Sequence, residues 1–379
     1  MEVQVENCAG IDVHQKILKV CIIKGRLDSN KVDKSFIDCG TTTKELKNLA
    51  SRLKELSVSH VFMESTSQYW VPVHNILEMY DFEEIVLANP QRIKGIPGRK
   101  TDQSDSQWIA ELGRLGLIPR SYVPSRTIQD FRRLTRTKSR LIKDRSQKRN
   151  RIHNVLQQAN IKLTSYLSDI YGVTGSKLLN LLINGENLDI DQIGTIVTSR
   201  IKAKPQEILD AMEGSFSKTQ ADEIKVNLNL ISTLDTEIKR LEESIEDYTS
   251  LYSNVYEKLL KIPGIGKNCA AVILAEIGPN VDAFETVGRL SSWVGICPGS
   301  YESAGKVKSS HITQGNKYLK EALYHAGRTA AHSNSVIFRD FYLKIANKGS
   351  KQKAVIATAH KILKIVYKIL KDNVDYIES

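Results

Sequence analysis

Four carboxylates occupy places from which they could hold metal ions. Asp12 lies in AGIDVHQK, Glu64 ends the run SHVFMES, and Asp102 and Asp105 fall in RKTDQSDSQWIAELGRLGLI. The first two sit in apolar runs that read as strands. The other two are three residues apart at the start of a segment whose Trp108, Ile109, Leu112 and Leu115 recur at helical spacing. That phase turns both aspartates toward the buried side of the helix start, facing a sheet. A buried carboxylate is costly without a positive partner. Clusters of hard oxygen donors suit Mg²⁺, and two such ions suit in-line displacement at phosphorus. Each residue also has a structural alternative: Asp102 or Asp105 as a helix cap, Glu64 as an exposed strand end. The order strand-Asp, strand-Glu, helix-Asp-x-x-Asp is more specific than any one member.

A possible nucleophile lies far downstream. Ser303 sits in ESAGK with Gly305 and Lys306 beside it and Lys308, His311 and Lys317 nearby. A hydroxyl in a basic, glycine-loosened loop could attack a phosphodiester if a base or metal activates it; an ordinary turn serine is the alternative. Upstream, LLKIPGIGKNCAAVILAEIG has the form apolar-Pro-Gly-Ile-Gly between two helices and resembles a helix-hairpin-helix. A tight turn at Gly264 and Gly266 would expose backbone N–H groups at a helix start, where a phosphate docks, and Lys267 adds charge. Such a contact positions a nucleic acid without reading its sequence.

The elements that must carry these residues follow from pattern. Residues 1–122 alternate strand and helix, which predicts a mixed sheet with helices packed on it. Residues 123–258 read as mostly helix. Ile231, Leu234, Ile238, Leu241, Ile245 and Tyr248 alternate steps of three and four between charged neighbours, a coiled-coil seam whose partner helix is left open. Residues 165–220 predict short helices and turns at the tip of a long hairpin. Residues 259–379 form a helical third unit.

Charge is concentrated. The 379-residue chain has a net charge of +11, and the segment Phe131–Arg151 alone supplies +9. It holds Arg132, Arg133, Arg136, Lys138, Arg140, Lys143, Arg145, Lys148, Arg149 and Arg151 against the single acid Asp144, without Gly or Pro. It predicts a helix whose like charges repel unless screened, and a phosphate backbone would screen them; a solvated face is the alternative. The five cysteines are scattered and lack CxxC spacing, which argues against a disulfide framework and a zinc ribbon. No apolar run reaches membrane-spanning length and the start lacks a secretory pattern, so a cytoplasmic protein without a membrane partner is expected.

Taken together, these motifs resemble the DEDD transposases of bacterial insertion sequences, the group that includes the Piv-type invertases and the bridge-RNA-guided recombinases. GIDVHQK, the MES strand end and GRKTDxxD resemble its RuvC-like domain of RNase H fold; PGIG, AEIG, CPG, ESAGK and ITQGNKYLKEAL resemble its C-terminal transposase domain. The resemblance implies Asp12, Glu64, Asp102 and Asp105 as a tetrad binding Mg²⁺ (or Mn²⁺), and Ser303 as the nucleophile of a covalent phosphoserine–DNA intermediate. Many members carry Ser-Ser-Gly where this chain has Ser303-Ala304-Gly305, so only the first serine is available here. It further implies donor and target DNA, a structured guide RNA and a homo-oligomer, dimer or tetramer. Arg132, Arg133, Arg136, Arg140, Lys143, Arg145, Lys148, Arg149, Gly264, Gly266, Lys267 and Lys306 are the expected nucleic-acid contacts. Two other functions fit parts of the pattern: a junction-resolving endonuclease, which needs the carboxylates but not Ser303, and a non-catalytic nucleic-acid scaffold.

Overall fold

The computed structural model describes all residues except 1–2, 29–30, 65–66, 91–104, 187–188, 199–200, 298–300, 304–305, 310–311 and 379. The chain divides into two compact units, Met1–Val123 and Pro124–Ser379.

The first unit is built on a five-stranded sheet. Strands β1 (Asn7–Val13) and β2 (Ile17–Lys24) form a hairpin, β3 (Asp33–Gly40) pairs antiparallel with β2, and β4 (His60–Glu64) and β5 (Glu84–Ala88) run parallel to β1. The order across the sheet is β3-β2-β1-β4-β5. The central strands are apolar on both faces because helices cover both. On one face Ile11, Val20, Val61 and Met63 pack against helices α1 (Thr43–Glu55) and α2 (Trp70–Leu77). Leu46, Leu49, Ala50 and Leu53 form the buried stripe of α1, and a capping box between Thr42 and Glu45 fixes its start. On the other face Cys8, Cys21, Phe62 and Val86 pack against Ile109, Ala110 and Leu112 of α3 (Asp105–Arg114). The mixed α/β architecture is the expected one. Strand β3 leaves no trace in the sequence pattern: DKSFIDCG is a mostly exposed edge strand and carries no apolar alternation.

The second unit is almost wholly helical. Helices α4 (Arg126–Gln158) and α9 (Lys218–Leu251) pair antiparallel, as Phe131 stacked on Tyr248, Lys138 bridged to Glu242 and Arg145 bridged to Asp235 show in succession. The partner of the Ile231–Ile238–Ile245 stripe, all three buried, is therefore the basic helix of the same chain. At the far end of the pair, α5 (Leu163–Tyr166), α6 (Val173–Asn184), α7 (Ile190–Ile196) and α8 (Pro205–Met212) enclose a separate core with Leu156, Leu178, Leu182, Ile208 and Ile224. After α9 come α10 (Ser253–Leu260), α11 (Lys267–Ile277) and α12 (Val287–Val294), a hairpin of β6 (Tyr301–Ser303) and β7 (Lys306–Ser309), then α13 (Lys317–Ala331), α14 (Val336–Ala346) and α15 (Lys351–Asp372). The expected boundary at 258/259 falls inside this unit, where Arg132 and Arg136 of α4 bond directly to α11. Among the described residues no helix is long and apolar enough to cross a membrane.

Candidate active site and nucleic-acid contacts

Strand register brings two of the four carboxylates, Asp12 and Glu64, to one sheet face. Ile11 pairs with Met63, and the same register carried one residue further sets Glu64 beside Asp12. Side chains alternate along a strand, so Gly10, Asp12, Phe62 and Glu64 share the face that α3 covers. Helix and strand meet at Gly10. A Cβ there would lie 2.3 Å from the Ser106 carbonyl oxygen and 2.4 Å from the Ala110 nitrogen, so only glycine permits this approach. The start of α3 is thereby held over β1, and the negative charge of Asp105 acts on Asp12. Burial, then the Asp105 charge, push the Asp12 carboxyl above its usual range; His14, whose Nε2 lies 3.0 Å from Oδ2, opposes this. Lys19, directly opposite Asp12 on β2, is bound to Asp38.

The helix phase differs from expectation by one residue. Asp105 is exposed, and the face packed on the sheet runs through Ser106, Ile109, Ala110 and Gly113. Asp102 lies outside the described residues. Among the described residues no group of three or more His, Cys, Asp or Glu side chains is gathered tightly enough to hold a metal. The donors that share the face are all carboxylate oxygens, the chemistry a hard divalent cation takes.

Ser303 is the last residue of β6 and pairs with Lys306, the first of β7, so it stands at the tip of a hairpin rather than in an open loop. Residues 304–305 between them lie outside the described residues. The glycine turn between α10 and α11 divides its labour. Gly264 has φ +92°, and a Cβ on it would lie 2.4 Å from the Ala326 carbonyl oxygen, so it seats the turn on α13. Gly266 is exposed, has open space around it and caps α11, with the exposed Lys267 next.

Much of the basic helix is neutralised by its own chain. Arg136 forms a two-point bond from Nε and Nη2 to Glu276 Oε1 and Oε2 at 2.7 and 2.8 Å, and lies over the Tyr318 ring. Arg132 donates to the carbonyls of Ala275 and Glu276. Asn316 Nδ2 donates to Glu276 Oε2 at 2.6 Å, while its Oδ1 caps α13. Glu276 is 0% exposed. Lys138 is buried between Glu242 and Asn268, Lys143 pairs with Glu321, Arg145 with Asp235 and Arg133 with Asp130. Arg149 stacks on Tyr171. Arg140 is exposed and, among the described residues, bonds only locally, to Thr137 Oγ1. Glu276 and Asn316 are the residues that sequence reasoning missed. Both stood inside the quoted motifs AEIG and TQGNKYL, and the sign was a lone acid in the apolar run AAVILAEIG.

Comparison with known proteins bears on these motifs. A family model for the DEDD transposases of the IS110 type matches residues 9–161, and one for the transposase IS116/IS110/IS902 family matches residues 256–343. The chain belongs to the IS110-type insertion-sequence transposases. Similar proteins include the transposase for insertion sequence element IS1111A of Coxiella burnetii, 23% identical over 75% of this chain and 70% of the relative. The insertion element IS900 uncharacterized 42 kDa protein of Mycobacterium paratuberculosis is 23% identical over 77% of this chain and 80% of the relative. In this transposase the four carboxylates and the basic helix fall in the first matched segment. The glycine turn, Glu276, Ser303 and Asn316 fall in the second. The helical tip and α9 lie between the two.

Proposed function

We propose that this transposase cuts and rejoins DNA through attack of Ser303 on a phosphodiester, with Asp12, Glu64, Asp102 and Asp105 serving the same phosphate. The observation that carries the reading is the sharing of one sheet face by Asp12 and Glu64, set by the β1–β4 register, with the close packing at Gly10 holding the start of α3 near enough for the Asp105 charge to act on Asp12. The sheet order β3-β2-β1-β4-β5 supports an RNase H-like first unit, with Asp12 on the central strand. A Mg²⁺ or Mn²⁺ ion held by these carboxylates would supply positive charge at the scissile phosphate. The Ser303 oxygen forms the new bond to phosphorus and gives up its proton; the bond from phosphorus to the 3′ oxygen breaks, and that oxygen takes up a proton as a free 3′ hydroxyl. The phosphoserine linkage conserves the bond energy, so a second 3′ hydroxyl reseals the strand by the reverse step.

The partners in this reading are donor and target DNA, a structured guide RNA, and further copies of the chain. The α10–α11 turn acts as a helix-hairpin-helix through Gly266 and Lys267, and the α4–α9 pair as a coiled coil. The test is cleavage of DNA carrying the element's ends, in the presence of the RNA transcribed beside the gene. Asp12→Asn and Glu64→Gln should each lower cleavage by about two or more orders of magnitude while leaving DNA binding intact. Full cleavage by both variants, or by the unaltered protein in excess EDTA, refutes the reading.

A further inference from the structure

A cleft of about 450 Å³ opens between α4 and α9 beside the start of α6. Arg149, Tyr171, Ser176, Ser232, Thr236 and Lys239 line it, together with Asp235. We propose that this cleft holds one phosphate group of a nucleic-acid backbone; the inference rests on the nucleic-acid reading above and adds a defined site to it.

Three observations carry it. First, Arg149 is fixed in place rather than waving in solvent. Its guanidinium lies 4.7 Å from the centre of the Tyr171 ring, and the Tyr171 hydroxyl donates to the Arg149 carbonyl oxygen at 2.8 Å. Second, the buried Arg149 Nε has no hydrogen-bond partner among the described residues. No hydrogen bond from the Arg149 side chain ties up its terminal amines among the described residues, and a guanidinium fork favours phosphate oxygens. Third, the charge of the lining is positive. Among the described residues that line it Asp235 is the one acid, and Arg145 already holds its carboxylate. Lys239 adds a second cation, and Ser176, Ser232 and Thr236 supply hydroxyls. Arg149 lies within the first segment that the family models match, whereas Tyr171, Ser176 and Lys239 lie between the two, so most of the lining stands outside the matched motifs.

The discriminating quantity is the slope of log affinity against log salt. It becomes shallower by about 0.9 for each duplex phosphate that the protein no longer neutralises, and by about 0.7 for each single-strand one. The whole chain is titrated with duplex DNA of the element's ends and, separately, with the RNA transcribed beside the gene. Arg149→Gln and Lys239→Gln should each flatten the slope by about one phosphate's share on the same nucleic acid. The double variant should flatten it by no more, because both cations grip one phosphate. Arg240→Gln removes the neighbouring charge, which is 77% exposed and turned to Glu237, and should leave the slope unchanged. Lys239 is exposed, so its variant tests the cleft even if the Arg149 variant unfolds. Unaltered slopes in both variants, an equal flattening in Arg240→Gln, or twice the single-variant change in the double variant overturns the cleft alone. An unaltered protein that binds neither nucleic acid overturns the wider reading with it.

Discussion

The Glu276 carboxylate sits at a point with no access to water, where Arg132, Arg136 and Asn316 reach it from outside its own helix. The same bonds tie α4 to the C-terminal end of α11 and to the cap of α13, just after the hairpin that bears Ser303. Removing one member of such a network leaves the others buried and unpaired, which costs roughly 3–5 kcal/mol. Glu276→Ala should therefore lower the denaturant midpoint sharply, with Glu276→Gln intermediate, whereas Arg140→Gln should leave it unchanged. Cys8 and Cys21 are buried, and Cys269 is half-buried. Burial pushes the Cys8 and Cys269 thiols up to about 12. At a pH of about 8 both are protonated, and only the thiolate reacts. Iodoacetamide should leave them unmodified in the folded protein and label them after denaturation, as peptide mass spectrometry would show.

At the scale of elements, two glycines set where helices sit. Gly264 seats the α10–α11 turn, and Gly10 seats α3: Gly10→Ala would drive a methyl into the backbone of α3 and move the Asp105 end away from Asp12. The expected result is loss of most cleavage activity with a stability cost of about 1–3 kcal/mol. A Gly10→Ala protein that cleaves normally would show that the spacing of α3 from β1 does not matter to the chemistry. The strands that bear Asp12 and Glu64 could be read from their apolar runs, and α1 from its stripe and capping box, because burial on one or two faces leaves a periodic trace. Strand β3 left none, since it is an exposed edge. The buried side of α3 was misplaced by one residue because Trp108 and Leu115, which suggested it, are only half-buried, while the small Ser106, Ala110 and Gly113 make the contact. The stripe on α9 was plain, but nothing in it could say that the basic helix was its partner. Opposite charges in register (Lys138 with Glu242, Arg145 with Asp235) are visible only once the two helices are side by side.

Across the whole molecule, the +9 of the basic segment turns out to be two populations. Arg132, Arg136, Lys138 and Arg145 are bound by the second unit's own acids, carbonyls and amides, and hold helices together. Arg140 and Arg151 are exposed, and Arg149 faces the cleft. Neutralising Arg140 and Arg151 should weaken nucleic-acid binding and flatten its salt dependence while stability stays the same. Neutralising Arg136 and Lys138 should destabilise the fold first. Equal effects on stability from both pairs, read by thermal unfolding, would contradict this division. The proposed chemistry needs both the carboxylate face and Ser303, and its product is a covalent link that can be sought directly. The protein is incubated with labelled element-end DNA, the adjacent transcript and Mg²⁺, then denatured, and the modified peptide is mapped by mass spectrometry. DNA attached through phosphate to Ser303 is expected, with no adduct from Ser303→Ala or Asp12→Asn. Undiminished cleavage by Ser303→Ala, with no protein–DNA adduct at any residue, would contradict a serine nucleophile and leave a metal-dependent nuclease in its place.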